Sequence, residues 1–344
     1  MTIQDLKDAD VIQQAIDKAK NDPMRPLLVI NCITYNHAPY LAQCLEGFVM
    51  QKTNFPFVAW VHDDASPDGT AEVLREYAEK YPDIIKPICD TINRYSDKSL
   101  DLIMNEWINA YEPKYIAYCE GDDYWIDPLK LQKQVDALEK SKAGMCYSDY
   151  EIYAEKIQQR TLIKPTKNIS YDIHWQVIAQ DIMIGTQTVV ILREAHNYIK
   201  EAYKADFQGY IMGDTQLWFH CARLYNTVYL NATTAVYRKN PVGVTSMYNL
   251  KGRIKFLRNA LDLDLHLANT YHAPIYITEY IKSIFGKSLL YLCLESKDFD
   301  TANEIVDIIS LNCFKKRLLL LFERNPRLLI VFSGLIRKLF IRII

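Results

Sequence analysis

Tyr115-Ile-Ala-Tyr-Cys-Glu-Gly-Asp-Asp123 is a short apolar run that stops at three carboxylates within four residues. An apolar run of this length, bounded by polar residues, reads as a strand buried on both faces. Gly121 permits a tight backbone turn directly after it. The same construction appears twice upstream. Leu27 to Ile33 is a strand followed by Thr34-Tyr35-Asn36-His37, and Phe57 to His62 is a strand ending in Asp63-Asp64.

Helical patterns fill the intervals. They run from about Pro39 to Met50, from Ala71 to Lys80 after the turn Ser66-Pro-Asp-Gly-Thr70, and from Leu100 to Ala110 after a further strand, Ile84 to Ile88. Strand–helix alternation of this kind implies right-handed crossovers and an α/β fold, a mostly parallel sheet flanked by helices. Ligands of such sheets bind outside the carboxyl ends of the strands, and all three polar clusters fall there. Downstream, Pro128 to Lys140 reads as a helix, and Met145 to Asp149 and Thr188 to Leu192 as strands. A helix from Asp214 to Leu224 precedes strands at Thr227 to Leu230 and Thr234 to Arg238. From Leu250 onward the pattern is helical only. An amphipathic helix over residues 3–20 opens the chain and ends at Asn21-Asp-Pro-Met-Arg-Pro26. The expected organisation is an N-terminal helix over 1–25, a catalytic domain over 26–249 and a helical region over 250–344.

Composition narrows the function. A chain of 344 residues that is 49% hydrophobic can bury a large core, and a net charge of −2 argues against a nucleic-acid partner. The eight cysteines form no CxxC pair. Cys32, Cys119 and Cys146 lie in strand-like runs and read as reduced core residues of a cytoplasmic protein. The first 25 residues hold no apolar signal segment.

Glu120-Gly121-Asp122-Asp123 carries the chemistry. Carboxylate oxygens suit hard cations such as Mg²⁺ or Mn²⁺, which are commonly held by one or two carboxylates plus substrate phosphates. Such an ion neutralises charge on a departing diphosphate. The competing reading is a solvated acidic turn leading into the helix at Asp127-Pro128. The strand before the cluster and its two companions favour the metal site, with Asp122, Asp123 and Glu120 as ligands.

Four segments together resemble family 2 of the inverting glycosyltransferases, which have the GT-A fold. They are Val29-Ile-Asn-Cys-Ile-Thr-Tyr-Asn-His37, His62-Asp-Asp-Ala-Ser-Pro-Asp-Gly-Thr70, Cys119-Glu-Gly-Asp-Asp-Tyr-Trp125 and Met212-Gly-Asp-Thr-Gln-Leu-Trp218. The resemblance, over about residues 25–250, implies donor-binding roles for Thr34, Tyr35, Asn36, Asp64 and Asp122. Tyr35 and Asp64 would lie on the nucleotide base. It implies a metal at Asp122 and Asp123, with Glu120 where many members have Asp. Asp214 resembles the catalytic base that takes the acceptor's proton, in a sequence that has Gly213 where the family often has Glu. Its other reading is the N-cap of its helix, and both can hold at once. Tyr237-Arg238 resembles the segment that closes over the diphosphate, so Arg238 is either a phosphate partner or a surface charge. Gly185-Thr-Gln-Thr188 resembles the acceptor-side loop. Trp125 reads as a sugar-stacking wall or as core, and Trp218 as core. His37 and His62 sit beside the clusters and read as hydrogen-bonded neighbours rather than metal ligands, and His174, His196, His220, His266 and His272 show no ligand spacing.

The implied activity is transfer of a sugar from a nucleotide-diphosphate donor, first of all a UDP-sugar, to a saccharide or lipid-linked acceptor, with Mn²⁺ or Mg²⁺. Two other readings stand beside it. One is a catalytically silent module binding a saccharide or a partner. The other is a sugar-phosphate nucleotidyltransferase, whose usual Gly-rich phosphate loop is missing after the first strand. Lys315 to Ile344 is basic and strongly apolar, with no uncharged run of the roughly 20 residues a spanning helix needs. It reads as an amphipathic helix lying on the inner face of the cytoplasmic membrane, or as a helix docked on protein.

Overall fold

The computed structural model describes residues 3–97, 99–164, 172–179, 183–207, 209–239 and 249–308. The basic segment 315–344 and the residues just after Lys239 lie outside them.

The opening helix is shorter than its periodicity suggests. A single 3-10 turn covers Ile3–Asp5, Asp8 takes a positive φ of 51°, and the α-helix α1 begins only at Asp10 and runs to Asn21. The left-handed backbone at Asp8 interrupts what the sequence pattern reads as one helix. Ile12 and Ile16 of α1 are buried, so this helix is part of the first folded unit.

The parallel half of the sheet follows the sequence closely. Strand β1 (Leu28–Thr34) leads to α2 (Ala38–Val49), β2 (Phe57–Asp63) to α3 (Thr70–Lys80), and β3 (Ile85–Cys89) to the short α4 (Arg94–Asp97) and α5 (Leu100–Tyr111). Strand β4 (Tyr115–Tyr118) then pairs with β1 in parallel, β1 with β2, and β2 with β3. Every residue of β2 is buried, as expected of a strand covered on both faces.

Beyond β4 the sheet becomes mixed. Two-residue β5 (Tyr124–Trp125) precedes α6 (Lys130–Ser141), then β6 (Met145–Ala154) and β7 (Gln159–Ile163) form a hairpin. After the short α7 (Ile173–Ile178) come β8 (Val190–Leu192), α8 (Arg193–Ala202), α9 (Gly213–Leu224) and β9 (Thr227–Lys239). Among the described residues there is one nine-stranded sheet in the order β3-β2-β1-β4-β8-β6-β9-β5, with β7 on β6. The two strands expected at 227–230 and 234–238 are one strand, parallel to β6. The register slips beside Asp149, and that irregularity interrupts the apolar pattern without ending the strand. The chain ends, within the described residues, in α10 (Leu250–Thr270), α11 (Ile275–Ser296) and α12 (Phe299–Ile308).

The chain forms two compact units, and their division differs from the expected boundaries. The first comprises residues 1–167, 183–202 and 220–243, and it holds the sheet. The second comprises 168–182, 203–219 and 244–344. The physical reason lies in aromatic packing within the second unit. Phe219 packs against Trp175 (ring centroids 5.7 Å apart) and Tyr271 (5.5 Å). Asp206 accepts hydrogen bonds from Tyr271 Oη (2.8 Å) and faces His266 Nε2 (3.2 Å). These contacts draw α7 and the start of α9 to the helical unit despite their position in sequence.

Candidate active site

The loop after β1 is shaped by the turn after β2. Three successive backbone N–H groups, of Asn36, His37 and Ala38, donate to Ser66 Oγ (2.8 Å), Thr70 Oγ1 (2.9 Å) and Asp68 Oδ2 (3.1 Å). These are donors that the start of α2 cannot satisfy internally. Asn36 sits at φ 57°, a left-handed position that Asn tolerates better than most residues. Tyr35 is left 42% exposed while Thr34 is fully buried. The Ser66-Pro-Asp-Gly-Thr70 turn is therefore a brace for the loop. Its members Ser66, Asp68 and Thr70 were not among the site residues expected from sequence.

The acidic turn is seated on that loop. Gly121 N–H donates to Ile33 O at 2.9 Å. A Cβ at Gly121 would lie 2.5 Å from Thr34 Oγ1, 2.6 Å from Thr34 Cβ and 3.0 Å from His37 Nδ1. No side chain fits there, so glycine is required for close approach rather than for an unusual φ. The turn in this way brings Asp122 Oδ2 to 3.8 Å from His37 Nε2. Burial pushes the His37 imidazole below its ordinary value, and Asp122 and Asp68 partly offset this. Asp122 and Asp123 are 8% and 2% exposed, whereas Glu120 is exposed. Asp123 is pushed well above the usual carboxylate range, by burial first and then by the neighbouring Asp122. Cys44 and Cys119 both direct their thiols at Glu120 O, at 3.4 and 3.6 Å, which backs the turn with core.

Asp64 is 1% exposed. Its backbone N–H donates to Thr34 O at 3.0 Å, tying it to the first loop. Its carboxylate accepts the N–H of Arg94 through one oxygen and of Tyr95 (3.1 Å) through the other. Each oxygen keeps a lone pair, but Tyr35 is the group at this end that stands open. Beneath, Asp90 accepts Arg94 Nε at 2.8 Å and faces His62 Nε2 at 3.4 Å. Burial alone would raise the Asp90 pKa, but the bonds from His62, Arg94 and the Ile92 amide hold it well below the usual carboxylate range.

Arg238 is 7% exposed, so it is not a surface charge. Its Nε donates to Asp122 O (2.9 Å) and its backbone N–H to Asp123 Oδ1 (2.8 Å). Trp125 is 2% exposed, donates Nε1–H to Gln187 O at 2.9 Å and packs edge-on to Phe48. It is core and not a sugar-stacking wall. Gln187 and Thr188 of the expected acceptor-side loop are also buried. Trp218 is 2% exposed. The structure thus brings Thr34, Tyr35, Asn36, Asp64, Glu120, Asp122, Asp123 and Arg238 into the first unit. Asp214 belongs to the second unit, where its Oδ1 accepts the Thr215 N–H at 2.7 Å.

Among the described residues, no three His, Cys, Asp or Glu side chains converge on a point that would hold a metal by themselves. The donor set still fits a hard cation of the magnesium type, which takes most of its ligands from water and phosphate. Asp122 and Asp123 supply paired carboxylates whose mutual repulsion a cation would relieve.

Residues 30–198 match the sequence profile described as glycosyl transferase family 2. An uncharacterized protein of Mycobacterium tuberculosis is 37% identical over 124 residues, 36% of this chain and 35% of that protein. The putative glycosyltransferase EpsE of Bacillus subtilis is 36% identical over 109 residues, 31% of this chain and 37% of that protein. The chain therefore spans about a third of the length of these relatives. In structure it is similar to the mannosyltransferase PcManGT of Pyrobaculum calidifontis, solved in complex with GDP-Man and Mn2+. The TM-score is 0.53 at 15% identity, covering 93% of this chain and 88% of that one. The match takes in most of β1, all of β2 and β4 and the acidic turn, so residues 30–198 form a family 2 glycosyltransferase domain, and the fold is of the GT-A type.

Proposed function

We propose that the chain transfers a sugar from a nucleotide-diphosphate donor to a saccharide or lipid-linked acceptor, with inversion by one direct displacement. The observation that carries the reading is the seating of Gly121 against Thr34 and His37. It sets Asp122 and Asp123 beside the Thr34–Asn36 loop, at the carboxyl ends of the adjacent strands β1 and β4. That edge is where open α/β sheets take their ligands.

In this reading the nucleotide base lies on Tyr35 and against Asp64, and the diphosphate lies at the acidic turn. Asp122 and Asp123, with Glu120 beside them, hold a divalent cation, Mn²⁺ or Mg²⁺. When bound, that ion neutralises the charge on the departing diphosphate. The PcManGT complex with GDP-Man and Mn2+ supports a nucleotide sugar and a divalent ion as the ligand classes. Asp214 takes the acceptor hydroxyl's proton as the new bond forms. Its assignment rests on the resemblance of Met212–Trp218 to the family motif.

The test is a panel of UDP-, GDP- and dTDP-sugars with Mn²⁺ or Mg²⁺, read by thermal shift and donor hydrolysis. Stabilisation by one nucleoside diphosphate that disappears with chelator is expected. Absence of any metal-dependent nucleotide binding would refute the proposal. Binding with no transfer or hydrolysis would favour the silent module.

A further inference from the structure

A buried guanidinium has five N–H donors and a charge to place. Besides the Asp122 carbonyl, Arg238 donates to Gln43 Oε1 on α2. Its guanidinium carbon lies 4.9 Å from the ring centroids of both Tyr40 and Tyr124, and 5.9 Å from that of Tyr153. Each ring is tied in turn. Tyr40 Oη donates to Glu155 Oε2 at 3.0 Å. Tyr124 Oη accepts from Arg160 at 3.1 Å, and Arg160 also donates to Glu151 at 2.8 Å. Tyr153 Oη donates to Gln158. The cation is thus fixed from α2, β5 and the β6–β7 hairpin, and what it grips is the backbone carbonyl of Asp122; the Asp123 carboxylate is held by the backbone N–H of the same arginine.

We propose that Arg238 is a positioning residue for the metal–diphosphate site: it acts by holding the Asp122–Asp123 turn, not by pairing with a donor phosphate. The inference rests on the functional reading above. It makes geometry, rather than charge, the property that matters. A lysine keeps the charge but not the planar fork that reaches Gln43 and the Asp122 carbonyl together.

Mn²⁺ is titrated into the full chain at saturating concentration of the nucleoside diphosphate that the wild type binds, with free Mn²⁺ read by electron paramagnetic resonance. The chains are wild type, Arg238→Lys, Arg238→Met and Gln43→Ala, each checked by urea denaturation. Both arginine variants are expected to weaken Mn²⁺ binding about tenfold, equivalent to about 1.4 kcal/mol. Gln43→Ala, which keeps the cation, should weaken it about threefold, and excess Mn²⁺ should restore the donor KM in all three. Wild-type Mn²⁺ affinity in Arg238→Lys with loss in Arg238→Met would overturn the proposal, because that pattern marks a charge pairing with phosphate. Unchanged affinity in Gln43→Ala would also overturn it, even where the arginine variants do not fold. A wild type that binds no nucleotide with Mn²⁺ refutes the functional reading itself, and the positioning role falls with it.

Discussion

Gly121→Ala tests the seating of the acidic turn. The added Cβ would lie 2.6 Å from Thr34 Cβ and 2.5 Å from Thr34 Oγ1. Carbon pairs settle at about 3.5–4.0 Å, so the deficit is about 1 Å. Rotation of Thr34 cannot relieve it, because Thr34 Cβ is fixed to the backbone of β1 and the residue is fully buried. The turn must therefore move off the first strand by roughly the deficit. Overpacking of this kind costs about 1–3 kcal/mol, and a 1 Å misplacement in a reacting site can cost about 100-fold in rate. The expected result is a stability loss of about 2 kcal/mol in urea and a fall in kcat/KM of about 100-fold on the donor identified by the nucleotide panel. Two companion variants check the mechanism. Thr34→Ala removes Oγ1 but leaves Cβ, so it should not rescue Gly121→Ala. Thr34→Gly removes both atoms, so Gly121→Ala with Thr34→Gly should recover part of the activity. Gly121→Ala within twofold of wild type in kcat/KM and within about 0.5 kcal/mol in stability would refute the argument.

The other predictions follow from neighbouring groups. Asp122→Asn should weaken Mn²⁺-dependent nucleotide binding by tenfold or more in calorimetry, while leaving the metal-independent residue of binding unchanged. Asp214→Asn should abolish transfer but retain donor binding, and full transfer by this variant would remove Asp214 from the base role. Asp90 is held below its ordinary value in the fold, so its contribution to stability is present above about pH 4 and is lost as pH falls below that. Asp90→Asn should destabilise the protein at neutral pH by about 3 kcal/mol, because Arg94 stays buried without its carboxylate. It should also flatten the acid limb of the stability curve in urea titrations between pH 5 and 3. The reading of residues 315–344 as a lipid-binding segment predicts that the full chain co-sediments with anionic lipid vesicles and that the chain without them does not; no binding by the full chain, or equal binding by both, would refute it.

Legibility in the sequence followed the range of the interactions. Strands β1, β2 and β4 match their apolar runs to within a residue, because a strand buried on both faces writes its burial into consecutive residues. Strand β7, Gln159–Ile163, is exposed over most of its length and is held by its pairing with β6, so no local pattern marks it. Strand β5 is only two residues long and shares Trp125 with the core. The acidic turn was legible because Gly121 and three carboxylates sit together. The fate of Arg238 depends on Tyr40, Gln43, Tyr124 and Tyr153, which only the folded chain assembles. A partial signal was nonetheless present. Side chains two apart on a strand share a face, and Thr234, Val236 and Arg238 lie on one face of β9 with the first two fully buried. Alternation therefore points Arg238 inward, and the composition of a Tyr-Arg-Lys segment points it outward. Alternation wins because an inward arginine here finds acceptors and three aromatic rings, which offset the cost of taking its charge out of water. A charged residue continuing the buried face of a strand next to a ligand turn is thus better read as a brace for that turn than as a contact to the ligand.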